Sequence, residues 1–443
     1  MKKNRIIVKH LVPGIILSLL IGCGSSQDEK QVMAEPVYSM MDDFIIIGYS
    51  GPPDGEVTLE RYQEIADAGI DILVPGNGAF NREQNLRAMN LAEQVGLKII
   101  PVDARVMPFN LKPDVEIDTV VISEVVKDYR EHPGLAAYIL RDEPNADLFP
   151  ALGELSASFR ERDPIHEPLI NLFPSYGSPI QLGFEDYRSY ISSFIEQVKP
   201  GLLSYDNYAL REGVTWYDAW YKDLRIVREE TWKAAIPFIV FVQSQGIREG
   251  MRVPNRAEIM WQVNTALCYG ARGIGWFSYW TPQPDQGLPQ EEGAEPFLVE
   301  SHFSAMIDLR GERTEVYNYV KEANSYISKA GKGLLGWDHV AVSRWEDGIL
   351  VNGEASPIVH PSGESTNVVV GTYLQQDSTT GRIVVSNSRC DKTAIFEMEL
   401  APSWKYAQVF TSKDARPTGT EGDLSGWRLE AGGSVIIELK KIH

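Results

Sequence analysis

Leu135-Ala-Ala-Tyr-Ile-Leu-Arg-Asp142-Glu143-Pro144 is an apolar run with the length of a buried strand, and it ends in a charged triplet and a proline. A strand covered on both faces reads as a continuous apolar run. In a parallel barrel the ends of such strands carry the reactive groups. Two adjacent carboxylates closed off by Pro144 therefore mark a candidate acid at a strand tip.

Outward from this run, strand-like and helix-like segments alternate between residues 43 and 333, the pattern of βαβ units around a parallel sheet. The strand candidates are Phe44–Gly48, Asp71–Val74, Leu97–Val102, Leu135–Arg141, Leu169–Phe173, Leu202–Tyr205, Pro237–Val242 and Gly273–Phe277. Amphipathic stretches lie between them, such as Leu59/Tyr62/Ile65/Ala66 and Val120/Val121/Val125/Tyr129. Gly69, Gly96 and Gly134 fall where a left-handed helix end is wanted, and Asn255 with Glu258 three positions on predicts a capped helix start. About eight repeats close a barrel, so residues 43–333 are read as a (β/α)8 TIM barrel. After Gly336 short β-rich runs split by turn residues predict a small antiparallel β-sandwich over 334–443.

The amino terminus reads as a removable piece. Lys2, Lys3, Arg5 and Lys9 precede an apolar stretch from Leu11 to Ile21 that ends in Leu20-Ile21-Gly22-Cys23. A basic start, a short apolar region and a small residue before the cut describe an export signal rather than a membrane-spanning helix. The Leu-x-Gly-Cys ending resembles a bacterial lipoprotein box, which implies cleavage after residue 22, acylation of Cys23 and a tether over 23–42. The expected location is the cell envelope, lipid-anchored to the membrane. Losing residues 1–22 removes four cations and no acid, so the formal charge moves from −19 to −23. Such a surface repels polyanions at long range and argues against a nucleic-acid partner. Only Cys268 and Cys390 then remain, in segments assigned to different domains, so no disulfide framework is expected.

Taking the strand ends in order yields the candidate site: Tyr49, Asn77, Asp103, then Arg141/Asp142/Glu143, Asn171, Asp206 with Tyr208, Gln243 with Gln245, and Trp276 with Tyr279 and Trp280. Amides and carboxylates hydrogen-bond hydroxyls, aromatic rings cover the apolar face of a pyranose, and a carboxyl pair handles the leaving oxygen and the oxocarbenium-like centre. The pattern therefore implies a carbohydrate substrate. The histidines are scattered without ligand spacing, so neither a metal nor a cofactor is expected. No Gly-x-Ser-x-Gly elbow or phosphate loop occurs, and Cys268 lies inside a helical pattern as a core residue would. Each candidate also has a purely structural alternative: Glu143 paired with Arg141, Asp142 clamping a strand end, Asp103 bridged to Arg105, and Trp276 and Trp280 packing the rim. The two tryptophans precede a Pro/Gln/Gly/Glu-rich loop from 281 to about 300 and are expected to form a sugar platform.

Arg141-Asp-Glu-Pro144, Ser204-Tyr-Asp-Asn-Tyr208, Gly273-Ile-Gly-Trp-Phe-Ser-Tyr-Trp280 and Gly311-Glu-Arg-Thr-Glu-Val-Tyr317 together resemble the barrel glycoside hydrolases of clan GH-A. The likeness is to relatives of the family 42 β-galactosidases from polysaccharide-degrading bacteria, and it covers residues 43–439. It implies that Glu143, after the fourth strand, is the general acid/base. The clan places Asn before that glutamate, whereas this chain has Asp142. The clan's nucleophile is a glutamate ending strand seven, where this chain has Phe241-Val-Gln243-Ser-Gln245. Asp206 after strand six is then the nearest substitute, as nucleophile or base. The Asp142-Glu143 pair also resembles the dyad of substrate-assisted N-acetylhexosaminidases, in which Asp orients the acetamido group, Glu is the acid/base and a tyrosine such as Tyr208 assists.

Three readings follow: a two-carboxylate glycoside hydrolase, an acetamido-assisted hexosaminidase, and a non-catalytic barrel that holds glycan. A monomer is expected in each. Cys23→Ala should move the protein from the membrane to the soluble fraction and abolish incorporation of a palmitate analogue; unchanged fractionation would remove the lipid anchor.

Overall fold

The computed structural model describes residues 42–442, apart from 78, 111, 114, 248–249, 283–301, 363–364 and 419–425. The export signal, Cys23 and the tether lie outside the described residues, as does most of the loop after Trp280. Within residues 37–443 the chain forms one compact unit.

Eight parallel strands build the barrel: β1 (Ile45–Tyr49), β2 (Ile72–Val74), β3 (Lys98–Ile99), β4 (Tyr138–Asp142), β5 (Pro168–Leu172), β6 (Leu203–Asp206), β7 (Phe238–Gln243) and β8 (Gly273–Phe277). They pair in chain order, with β8 beside β1. A parallel bridge from Ile99 to Leu135 joins β3 to the run entering β4 and closes the ring. One long helix follows each strand: α1 (Leu59–Asp67), α2 (Arg82–Gln94), α3 (Thr119–Tyr129), α4 (Phe149–Arg162), α5 (Tyr187–Val198), α6 (Tyr217–Ala234), α7 (Arg256–Cys268) and α8 (Glu315–Lys332). Their starts are chemically marked. Asn81 with Gln84 and Asn255 with Glu258 form reciprocal capping boxes, and Asp118 and Asp186 cap α3 and α5. Gly69 and Gly96 end α1 and α2 with positive φ. Gly134, expected to do the same, is required for another reason: a Cβ there would lie 2.9 Å from the Met89 carbonyl.

Side chains alternate along each strand, which separates two cores. Ile46, Leu73, Leu140, Ile170, Leu203, Val240 and Ile274 face the helices. Ile45, Ile47, Ile72, Val74, Leu169, Leu202, Ile239 and Phe241 fill the lumen. On β8 the inward positions are Gly273 and Gly275, and a Cβ on Gly275 would sit 2.3 Å from the Phe241 ring. The bulky phenyl of β7 therefore occupies the space that β8 leaves. On β4 the pairing with β5 slips between Ile139 and Arg141, an insertion of one residue that puts Asp142 opposite Asn171. Such a bulge re-aims the side chains beyond it.

The chain continues into β9 (Asp338–Glu346), β10 (Ile349–Gly353), β11 (Val359–Pro361), β12 (Val368–Leu374), β13 (Thr380–Asn387), β14 (Ala394–Leu400), β15 (Trp404–Pro417) and β16 (Gly426–Lys441). These are antiparallel in the order β10-β9-β12-β13-β16-β14-β11, with β15 along the other edge of β16. The long β16 pairs β14 with its first half and β13 with its second, so the sheet wraps its own core of Val368, Ile383, Phe396, Trp427 and Ile437. Helix α7 is caught between barrel and sheet, which is why every residue from Glu258 to Cys268 is buried. Its polar groups are answered on both sides: Asn264 donates to the Gly432 carbonyl at 2.8 Å, and Gln262 exchanges hydrogen bonds with the Gln243 backbone. Cys268 is a packed core residue of that seam, its Sγ 3.3 Å from the Val384 carbonyl.

Gly275→Ala should overpack the lumen and destabilise the protein by about 1–3 kcal/mol in denaturant titration. Adding Phe241→Leu should restore part of the loss; two strictly additive losses would mean that the ring and the glycine do not share the space.

Candidate active site

The site is assembled at the carboxyl ends of β1, β4, β5, β6 and β8. Asp142 ends β4, and Glu143 follows with φ 44°, a left-handed conformation that a non-glycine residue adopts at some cost. Its N–H donates to the Asn171 carbonyl at 2.8 Å, which anchors the turn to β5. Below it runs a hydrogen-bonded row across three strands: Ser204 Oγ donates to Asn171 Oδ1 at 2.8 Å, and Asn171 Nδ2 donates to Asp142 Oδ1 at 3.0 Å. Asp206 is buried at the inward end of β6, and its carboxyl hydrogen-bonds both Glu143 and Tyr208.

Three carboxyls so close cannot all ionise. Burial, then the charge of Asp142, pushes Glu143 up to about 8. Burial, then Glu143 and Asp142, holds Asp206 well above the usual carboxylate range. Burial also raises Asp142, against the pull of Asn171 and Arg141. The cluster therefore retains protons at neutral pH, Glu143 among the groups that hold one.

Aromatic rings line the mouth. Tyr49 packs edge-on to Phe241 and beside Phe277, and its hydroxyl feels Asp142 and Glu143. Tyr208 stacks on Phe277 with centroids 5.1 Å apart, and its N–H donates to the Tyr176 hydroxyl at 2.8 Å. Beneath these loops Asp223 of α6 accepts from the Ser175 N–H at 3.0 Å and the Asn207 amide at 2.7 Å, tying the β5 and β6 ends together; burial pushes it up to about 6.

The structure thus brings together Tyr49, Asp142, Glu143, Asn171, Asp206 and Tyr208, with the charge of Arg141 felt at Asp142 and Glu143. Other expected residues are placed elsewhere. Asp103 is held by Arg105 in a bidentate pair and by the Tyr129 hydroxyl at 2.7 Å, the structural alternative. Asn77 donates to the Gly51 carbonyl between the β1 and β2 loops. Gln243 is fully buried and braces the loop after β7 through the carbonyls of Leu210 and Arg252. Trp276, Tyr279 and Trp280 are all buried, so the expected sugar platform is not there. Trp276 points outward and donates to Asn324 of α8 at 2.8 Å, while Trp280 lies under the Arg61 guanidinium. Inward Gly273 and Gly275 set the parity: Trp276 must face out and Phe277 in, a signal present in the sequence. Tyr176, Trp216, Arg211 and Asp223 lie in loops or on a helix, where reading strand ends could not find them.

No protein-family model matches the sequence, and no curated protein matches it. Solved structures do. A catalytic mutant of a GH42 β-galactosidase from G. stearothermophilus superposes with a TM-score of 0.57 at 9% identity, over 90% of this chain and 98% of that one. A protein described as a glycoside hydrolase superposes at 0.51 and 10% identity, over 90% and 93%. This chain shares their fold. It spans 60% of the β-galactosidase from the psychrophilic Marinomonas ef1, with 66% of its own length, a TM-score of 0.46 and 10% identity.

Because the folded Glu143 carboxyl protonates near 8 and an unfolded one near 4.5, its contribution to stability is complete below about 4.5 and lost as pH rises through about 8. Glu143→Gln should match the parent at pH 5 and melt about 2 °C or more higher at pH 8.5 in thermal scans. Equal melting curves at both values would remove the raised carboxyl.

Proposed function

We propose that this chain is a glycoside hydrolase in which Glu143 is the general acid/base and Asp206 the second carboxylate. One observation carries the reading: a carboxyl kept protonated at neutral pH stands at the β4 tip in contact with a second acid, under a ring of aromatic side chains. A protonated Glu143 can deliver its proton to the glycosidic oxygen as the C–O bond breaks, and Asp206 meets the positive charge that grows on the anomeric carbon. The two carboxyls touch, closer than the separation of about 5–5.5 Å for retention or about 6.5–9.5 Å for inversion. Substrate must therefore replace their mutual hydrogen bond, with Glu143 turning to the leaving oxygen. Asn171 and Ser204 act as positioning residues by holding Asp142. The lipoprotein box supports action at the cell envelope through Cys23, and one copy of the chain supplies the whole site.

The adjacency of Asp142 to Glu143, with Asn171 fixing Asp142 and Tyr208 on Asp206, favours the acetamido-assisted route as the second reading. There Asp142 would orient the 2-acetamido group, and a thiazoline mimic of the intermediate would inhibit; a two-carboxylate enzyme would ignore it.

On a panel of oligosaccharides, Glu143→Gln should lower turnover of an unactivated substrate by about 10²–10⁴ or more while the fold is kept. The parent's kcat/KM should fall as pH rises through about 8, because the protonated acid is the active form. Undiminished activity in the variant would end the assignment. Sugar binding without any released reducing end would leave a glycan-binding barrel in its place.

A further inference from the structure

A short ribbon, Leu210–Arg211 paired with Val214–Thr215, leaves the end of β6 and carries Arg211 to the mouth. Its guanidinium lies over two rings, Trp216 at 4.3 Å and Tyr176 at 5.0 Å, which meet edge to face with centroids 5.4 Å apart. Six arginines among the described residues stack on aromatic rings in this way. Five of them also hold a carboxylate: Arg61 with Glu64, Arg313 with Glu64, Arg344 with Glu346, Arg382 with Glu438 and Arg389 with Asp391. Arg211 has no carboxylate partner among the described residues, and its buried Nε has no hydrogen-bond acceptor.

Stacking fixes the plane of a guanidinium and leaves its edge to accept a bidentate anion. The neighbourhood locates that edge. The Tyr176 hydroxyl takes the Tyr208 N–H, and Tyr208 hydrogen-bonds Asp206, so Arg211 stands one aromatic ring from the acid pair. Trp216 is 38% exposed, so the platform opens to solvent. In a chain of net charge −19, a half-buried guanidinium without a carboxylate partner among the described residues, one ring from the acid pair, marks a place where the ligand brings the anion.

We infer that Arg211, held by Tyr176 and Trp216, is a specificity-determining residue that binds the carboxylate of an acidic sugar, so that the substrate is a uronate-containing oligosaccharide. The planar fork matches a planar carboxylate, and the exposed indole covers the sugar ring that carries it. This rests on the glycosidase reading for the bond that is cut, but the anion contact stands by itself.

The test separates the two. Glu143→Gln protein is titrated by calorimetry with galacturonate, guluronate and glucuronoxylan oligosaccharides, with the same compounds after reduction of carboxyl to hydroxymethyl, and with sulfated oligosaccharides of equal length. At least one acidic compound should bind tenfold or more tightly than its reduced form. Arg211→Gln should erase that difference while leaving the reduced compound's affinity unchanged, and Arg211→Lys should keep part of it. Equal affinity for acidic and reduced forms, no binding of any acidic compound, tighter binding of the sulfated set, or an equal loss for both forms in Arg211→Gln would each overturn the inference. Preferential acidic binding with no cleavage by the parent would sink the hydrolase reading and leave the subsite. Cleavage of neutral sugars alone would do the reverse.

Discussion

Mutual repulsion among Asp142, Glu143 and Asp206 is the constraint on which the rest of this site depends. Three carboxyls crowded at neighbouring strand tips cannot all ionise. Asn171 and Arg141 pull Asp142 down against its burial, while burial and the neighbouring charges hold Glu143 and Asp206 up. Glu143 is brought into this cluster by a left-handed backbone conformation that a non-glycine residue adopts at some cost.

The barrel supplies the rigidity that such crowding needs. Its lumen is filled by apolar side chains, with Phe241 seated over Gly275. The bulge in β4 is the local device that makes the site: without the extra residue, alternation would turn Arg141 inward and Asp142 outward. On the far side, α7 is sealed between barrel and antiparallel sheet. Gln262 passes that rigidity to β7 through the Gln243 backbone, and Gln243 in turn braces the loop after β7 through the Arg252 carbonyl.

Much of this was legible in residue order. Eight apolar runs, the capping box at Asn255 and the Asp142-Glu143-Pro144 ending all report local physics: burial on both faces, an unsatisfied helix start, a strand that stops. Aromatic residues at a strand end suit a sugar, yet the alternation set by Gly273 and Gly275 turns Trp276 toward α8. Asp103 and Gln243 were candidates by position, and each proved to be consumed by neighbours that no spacing could reveal.

The amino-acid sequence by itself determined the class of fold, the number and order of the barrel strands and the presence of two adjacent carboxyls at the fourth tip, because periodicity and punctuation are properties of neighbouring residues. Only the tertiary structure decided which groups meet. Glu143 and Asp206 are 63 positions apart and share a hydrogen bond; Tyr176, Arg211 and Trp216 come from the segments after β5 and β6 and form one platform. Such contacts arise from the closure of the ring and the register of its strands, and charge repulsion, which sets the chemistry here, acts through space rather than along the chain.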